Sequence, residues 1–254
     1  MFKKWKTPQG PASRLVLDFI NQTHLLIAGT TGSGKSVVIN NIIYTLLYKS
    51  PKEVKLILID PKKVELIQYK ELPHTLAYAS EQADIINTIK KAVDLMEKRF
   101  QTMQKLGIKK SKEADIYIII DEYADLITTS KKDVERLICR IAQLGRAAKV
   151  HLILATQRPT RDIITGQVKV NIDSRLALRV PTAQDSRNII NIKGAELLGK
   201  YGQGYYLTPD TLTPQLVNID YINASELADR VEWWTSQTNF IFNKLYKKSL
   251  CLNI

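Results

Sequence analysis

The segment Gly29-Thr30-Thr31-Gly32-Ser33-Gly34-Lys35-Ser36 fits G-x-x-x-x-G-K-[ST] in full. Its glycines let backbone N–H groups turn inward around phosphate oxygens, and a helix opening at its end adds a positive dipole end. Lys35 would neutralise charge on the β- and γ-phosphates of ATP, and Ser36 would ligate Mg²⁺. ATP and Mg²⁺ are therefore the expected cofactors.

Three further residues could complete a hydrolytic site. Asp121 and Glu122 close the apolar run Ile116–Ile120 (IYIII), which reads as a strand buried on both faces of a parallel sheet. Ligands of open α/β sheets bind at the carboxyl ends of strands. Asp121 there would hold Mg²⁺ through water, and Glu122 would orient and deprotonate the attacking water. The bland alternative is a solvated acidic pair at a strand end. Gln157 follows the next apolar run, in Ala155-Thr156-Gln157, where an amide can bridge γ-phosphate and water; most glutamines are only solvated. A P-loop kinase would need an acceptor pocket and lid, and nothing in the sequence announces one.

The elements that must position these groups alternate strand and helix. His24–Ala28 is a short apolar run before the glycine-rich turn, and a helix follows from about Ser36 to Lys49. Val54–Ile59 reads as a second buried strand. From Glu81 to Leu106 the residues Ile86, Ile89, Val93, Met96, Phe100 and Met103 form the apolar stripe of a long amphipathic helix closed by Gly107. Ser130 with Asp133 predicts a helix start. Val150–Ala155 and Arg175–Val180 read as strands, as do Gly202–Leu207 and Leu216–Asp220. Thr182 with Asp185, and Asn223 with Glu226, read as helix starts. The expected fold class is α/β: a P-loop NTPase with a doubly wound, mostly parallel sheet flanked by helices, which the likeness given below implies to be RecA-like. The expected organisation is a short N-terminal arm or edge strand (1–22), a main α/β domain (23–238) that the likeness given below implies to be a motor, and a basic C-terminal tail (239–254).

Composition narrows the class. With 44% hydrophobic and 24% charged residues, the 254-residue chain can bury a core. No apolar run approaches the roughly 20 residues that span a bilayer. The opening MFKKWKTPQGP is charged but lacks a following apolar region, so it does not read as a signal peptide. Cys139 and Cys251 lie far apart without metal-ligand spacing, which suits buried or free thiols in a reducing cytosol. The expected location is cytoplasmic. A net charge of +12 favours a polyanionic partner, although many basic proteins bind nothing in particular.

Longer motifs carry a resemblance. HLLIAGTTGSGKS, LILIDPKKVEL, IIIDEYADL, AQLGRAAKVHLILATQRPTRDIITGQVKVNIDSR, and DSRNII followed by GAELLG are similar, in order and spacing, to the motor of the FtsK/SpoIIIE family. The likeness runs from about His24 to Trp234. It implies a ring, usually a hexamer, that threads double-stranded DNA through its pore. It implies that Arg146, in LGRAA, reaches the neighbouring subunit's ATP site; the alternative is a surface arginine favourable to a helix end. Arg158 and Lys169 match pore-loop positions that grip DNA phosphates, and Arg161 lies nearby. Arg187 belongs to the DSR motif with Asp185, for which a helix-cap role with Thr182 is the competing reading.

Departures accompany the likeness. Ala183 stands where translocating members often carry a lysine, and the family's separate α subdomain, membrane segments and winged-helix domain have no counterpart in these residues. The resulting expectation is a ring-forming, ATP-driven DNA translocase serving conjugative transfer, packaging or replication of a mobile element, with a partner protein from that system. The alternatives are a secretion-type ATPase that moves protein and a non-travelling ATP-dependent DNA clamp.

Overall fold

The computed structural model describes residues 22–250, apart from 200, 201, 212 and 220. Residues 1–21 of the expected N-terminal arm, Asp220, Cys251 and the last residues of the expected tail lie outside the described residues. β1 (His24–Ala28) leads through the glycine-rich turn into α1 (Lys35–Leu46). β2 (Val54–Ile59), β3 (Thr75–Ala79) and α2 (Gln82–Leu106) precede β4 (Asp115–Ile120) and α3 (Tyr123–Ala148). Then come β5 (Val150–Thr156), α4 (Gly166–Asn171), β6 (Arg175–Ala177) and α5 (Ala183–Ile190). β7 (Gln203–Leu207), β8 (Gln215–Asn218) and α6 (Ala224–Leu250) follow.

The strands form one eight-stranded sheet in the order β3-β2-β4-β5-β1-β6-β7-β8. Pairing is parallel from β3 to β6, whereas β7 and β8 add antiparallel pairs. The interior strands alternate their side chains between two cores. Leu26, Ile118 and Leu154 face the core under α2 and α3. Leu25, Ile119 and Ile153 face the core built with α1 and the start of α6. Burial on both sides explains why these strands read as unbroken apolar runs. Their register brings Ala28 beside Thr156 and Ile120 beside Leu154 and Ile59, so the ends of β1, β2, β4 and β5 share one edge. That edge carries the site. No helix among the described residues is long and apolar enough to cross a membrane.

Some local expectations shift. The buried line of α2 is Ile85, Ile89, Ala92, Met96, Arg99 and Met103, with Ile86, Val93 and Phe100 on its flank; Gly107 closes the helix at φ 63° as expected. Apolar spacing could not place Arg99 there, because its burial rests on carbonyl partners far along the chain. It donates to Ala148 O at 2.7 Å and to Ala114 O at 2.8 Å. α3 begins at Tyr123 and is broken at Ser130 (φ −149°, ψ 50°), so its second part starts where Ser130 and Asp133 predicted a helix start; the stretch ahead of Ser130 was not expected. Ile127, Thr128 and Thr129 are β-branched and weak helix formers, so that first stretch depends on its buried packing. β3 and α4 give little signal because one is a short edge strand and the other only six residues long. α6 continues to Leu250, so the boundary expected at 238 falls inside a helix. Cys139 is a buried free thiol.

Two buried histidines predict acid sensitivity. His24 accepts the N–H of Leu152 at its Nδ1, 3.1 Å away, and burial, then the neighbouring His151, push its pKa down to about 3. Burial lowers His74 to about 4, with Lys55 adding to the effect and a contact to the Lys49 carbonyl opposing it. Both values lie below the ordinary 6.5, so the unfolded chain binds more protons over that interval. Stability is full above about pH 6.5 and falls with acidification, by up to about 1.4 kcal/mol per pH unit for each histidine. Urea unfolding between about pH 7 and pH 5 checks this; a flat midpoint would contradict neutral burial.

Candidate nucleotide-binding site

The glycine-rich turn is shaped for close approach. Gly32 (φ 75°) and Gly34 (φ 101°) adopt left-handed conformations that side chains resist. A Cβ on Gly29 would lie 2.5 Å from Ser33 Oγ and 2.7 Å from Leu178 Cβ. The turn is anchored to the sheet by Gly29 N–H donating to Thr156 O (3.2 Å) and Thr30 N–H to Arg179 O (3.0 Å). Ser33 Oγ is buried without a hydrogen-bond partner among the described residues.

Lys35 is only 4% exposed, and its Nζ donates to Asp121 Oδ1 (2.5 Å) and Asp121 O (2.8 Å). Ser36 Oγ donates to Glu65 Oε1 at 2.7 Å. Glu122 is also buried, and its carboxylate is held by β5. Oε1 accepts the Thr156 hydroxyl (2.8 Å) and the Gln157 N–H (3.0 Å), which also lies 3.2 Å from Oε2. Gln157 returns to the turn by accepting the Thr31 hydroxyl at 2.9 Å. Lys35, Ser36, Asp121, Glu122 and Gln157 thus meet at one sheet edge. The cradle, the buried cation and the hydroxyl–carboxylate donor set fit ATP with Mg²⁺.

Arg146 sits elsewhere. α3 carries it away from Glu122 to the opposite edge, where β5 begins; seven residues of β5, about 20 Å, separate the two edges. Arg146 therefore cannot reach the P-loop of its own chain. It is exposed beside a polar cleft of ≈ 400 Å³ that His24, Asp115, Lys149 and His151 also line. Gly145 lets the helix end seat there, because a Cβ would meet Val150 O at 2.2 Å.

The cations expected to meet DNA follow Gln157. Arg158 and Arg161 are exposed, and the loop between them is tied to α5 by Asn188 Nδ2 donating to Pro159 O at 2.9 Å. Lys169 lies on α4 rather than in an open loop. Burial lowers its ammonium pKa, and the nearby Arg175 and Arg161 lower it further. Buried Arg175 fixes that helix end, donating to Lys169 O at 2.7 Å and Ile172 O at 3.0 Å. Arg187 is exposed on α5. Asp185 acts as part of a helix cap: its N–H donates to the Thr182 hydroxyl (3.1 Å), which donates to its carboxylate (2.7 Å).

Residues 8–117 and 111–161 match the sequence model described as the FtsK/SpoIIIE family. The chain belongs to the FtsK/SpoIIIE family. A DNA translocase FtsK from Pseudomonas syringae pv. tomato is 39% identical over 257 residues, covering 87% of this chain and 32% of the relative. The FtsK of Borreliella burgdorferi is 40% identical over 236 residues, covering 86% and 30%. The chain thus spans about a third of the length of these relatives. Among solved structures, the pCW3 conjugation coupling protein TcpA, in a monomer form with ATPγS, superposes with a TM-score of 0.73. The two are 24% identical, with 85% of this chain and 66% of TcpA covered. EssC from Geobacillus thermodenitrificans gives 0.72 at 17% identity, covering 89% and 45%. These likenesses support the P-loop ATPase fold alone.

For an FtsK/SpoIIIE member, the site contains residues that the glycine-rich segment and the strand-end acidic pair do not point to. Thr156 holds Glu122 from the neighbouring strand. Lys62 Nζ stands 3.6 Å from Glu122 Oε2 and 3.8 Å from Asp125 Oδ2, and Glu65 holds Ser36. Lys62 and Glu65 come from IDPKKVEL, whose position after β2 was the available signal. A strand next to β4 must end at the same edge.

Proposed function

We propose that this chain is the ATP-hydrolysing motor of a DNA translocase, working in the cytoplasm as a hexameric ring around double-stranded DNA. One observation carries the reading. The carboxylate of Glu122 is bonded to the Gln157 N–H, and Arg158 is the next residue. Whatever Glu122 does in hydrolysis is therefore mechanically close to the cation-bearing segment. The family relationship and the net charge of +12 point the same way.

In this reading the turn's N–H groups bind the phosphates, and Lys35 exchanges Asp121 for phosphate oxygens. Asp121 and Ser36 would hold Mg²⁺, which would supply neutralisation of phosphate charge. Glu122 takes the proton of the attacking water while Gln157 orients it. Arg146 from the adjacent subunit stabilises transition-state charge. The proposed setting is conjugative transfer, packaging or replication of a mobile element alongside a partner protein from that system. Loss of transfer or copy number on deletion would test it.

The direct experiment is ATPase rate with and without duplex DNA. Strong stimulation is expected; its absence would favour a motor that moves protein. Arg158→Ala and Lys169→Ala should weaken stimulation while leaving basal hydrolysis largely intact. Each lost phosphate contact should also lower the log–log salt slope of binding by about 0.9. Stimulation that survives both substitutions at moderate salt would remove these residues from the DNA path.

A further inference from the structure

The hydroxyl of Ser36 is held by a carboxylate that the P-loop pattern does not include. Asp121, at the end of β4, is engaged by Lys35 at 2.5 Å, while Ser36 Oγ donates its proton to Glu65 Oε1 at 2.7 Å. A serine hydroxyl has one proton and two acceptor lone pairs. With the proton committed to Glu65, only lone pairs remain for the rest of the site. A hydroxyl in that state is oriented as a cation ligand, and the accepting carboxylate increases its electron density.

The segment carrying Glu65 is built to keep it there. Asp60 is fully buried at the end of β2, and its Oδ2 accepts the Leu66 N–H at 2.9 Å, closing the turn around Glu65. Lys63 N–H donates to Asp60 O at 3.2 Å within the same turn. Leu66 and Tyr69 are buried just beyond, and the Tyr69 hydroxyl donates to Asn40 Oδ1 on α1 at 2.7 Å. The turn is thus fastened both to the sheet and to the helix that begins with Lys35 and Ser36.

We infer that Glu65 is a positioning residue of the Mg²⁺ site, holding the Ser36 hydroxyl with its lone pairs toward the metal. This rests on the reading of Ser36 as a Mg²⁺ ligand, and the experiment separates the two. Binding of a fluorescent, slowly hydrolysed ATP analogue is titrated with Mg²⁺, and also measured in EDTA. Glu65→Ala should raise the Mg²⁺ concentration for half-maximal binding by about 10- to 100-fold while leaving affinity in EDTA nearly unchanged. Glu65→Gln keeps an acceptor but loses the charge; it should give a smaller shift, and it covers the case in which Glu65→Ala fails to fold. Ser36→Ala should shift the requirement at least as far, and adding Glu65→Ala to it should shift it no further. A shift for Ser36→Ala with none for either Glu65 variant would overturn the inference and leave the P-loop reading intact. No shift for Ser36→Ala would overturn the metal assignment itself. A lowered Mg²⁺ requirement in the Glu65 variants would make the contact a competitor of the metal and also sink the inference.

Discussion

Glu122→Gln should bind ATP with near-normal affinity and hydrolyse it about 10²- to 10⁴-fold more slowly. The substitution is nearly isosteric, and its amide oxygen can still accept from Thr156 and Gln157, which now hold the carboxylate at 2.8 and 3.0 Å. Its other terminal group becomes an amide nitrogen, which cannot take a proton from water. Ground-state binding is assigned in the proposed function to Lys35 and the glycine-rich turn, so it should persist. Lys35→Ala is the complementary result, with nucleotide binding abolished because the cation that meets ground-state phosphate charge is gone. Since Lys35 and Asp121 are 4% and 3% exposed, that substitution also strands a buried carboxylate. Lys35→Ala should therefore melt at a lower temperature without nucleotide, and adding Asp121→Asn should recover part of the loss. Equilibrium binding and single-turnover hydrolysis distinguish the two defects. Near-normal turnover in Glu122→Gln would show that the base lies elsewhere.

The second large effect concerns Arg146. Its place at the edge opposite the P-loop, exposed and seated by the close approach of Gly145 to Val150, makes action on its own nucleotide impossible. If it acts on the neighbour's, Arg146→Ala subunits should bind ATP normally and hydrolyse it about 10³-fold or more slowly. Mixed with Glu122→Gln subunits, they should regain activity, because some interfaces would pair an intact base with an intact arginine. The recovered rate should depend on mixing ratio and disappear under conditions that keep subunits apart. Well-mixed rings with no recovery would leave Arg146 as a surface arginine at a helix end.

Groups whose expected roles are local could be read directly from the order of residues. Gly29–Ser36 form a contiguous pattern because one turn must present successive N–H groups to phosphate. Asp121, Glu122 and Gln157 were legible because strands buried on both faces are unbroken apolar runs, and the residue after each run must stand at the sheet edge. The Thr182–Asp185 cap was legible for the same reason, since both partners lie within one turn. The tertiary structure alone decided contacts between residues distant in sequence. Ser36 and Glu65 are 29 positions apart and Glu122 and Thr156 are 34 apart, and no periodicity links either pair. Arg99 in a nominally apolar stripe, and α3 beginning at Tyr123, likewise depend on partners that only folding supplies. The edge on which Arg146 stands was equally hidden: its motif specifies a helix end, and only the path of α3 across the sheet sets that end at the edge opposite the P-loop.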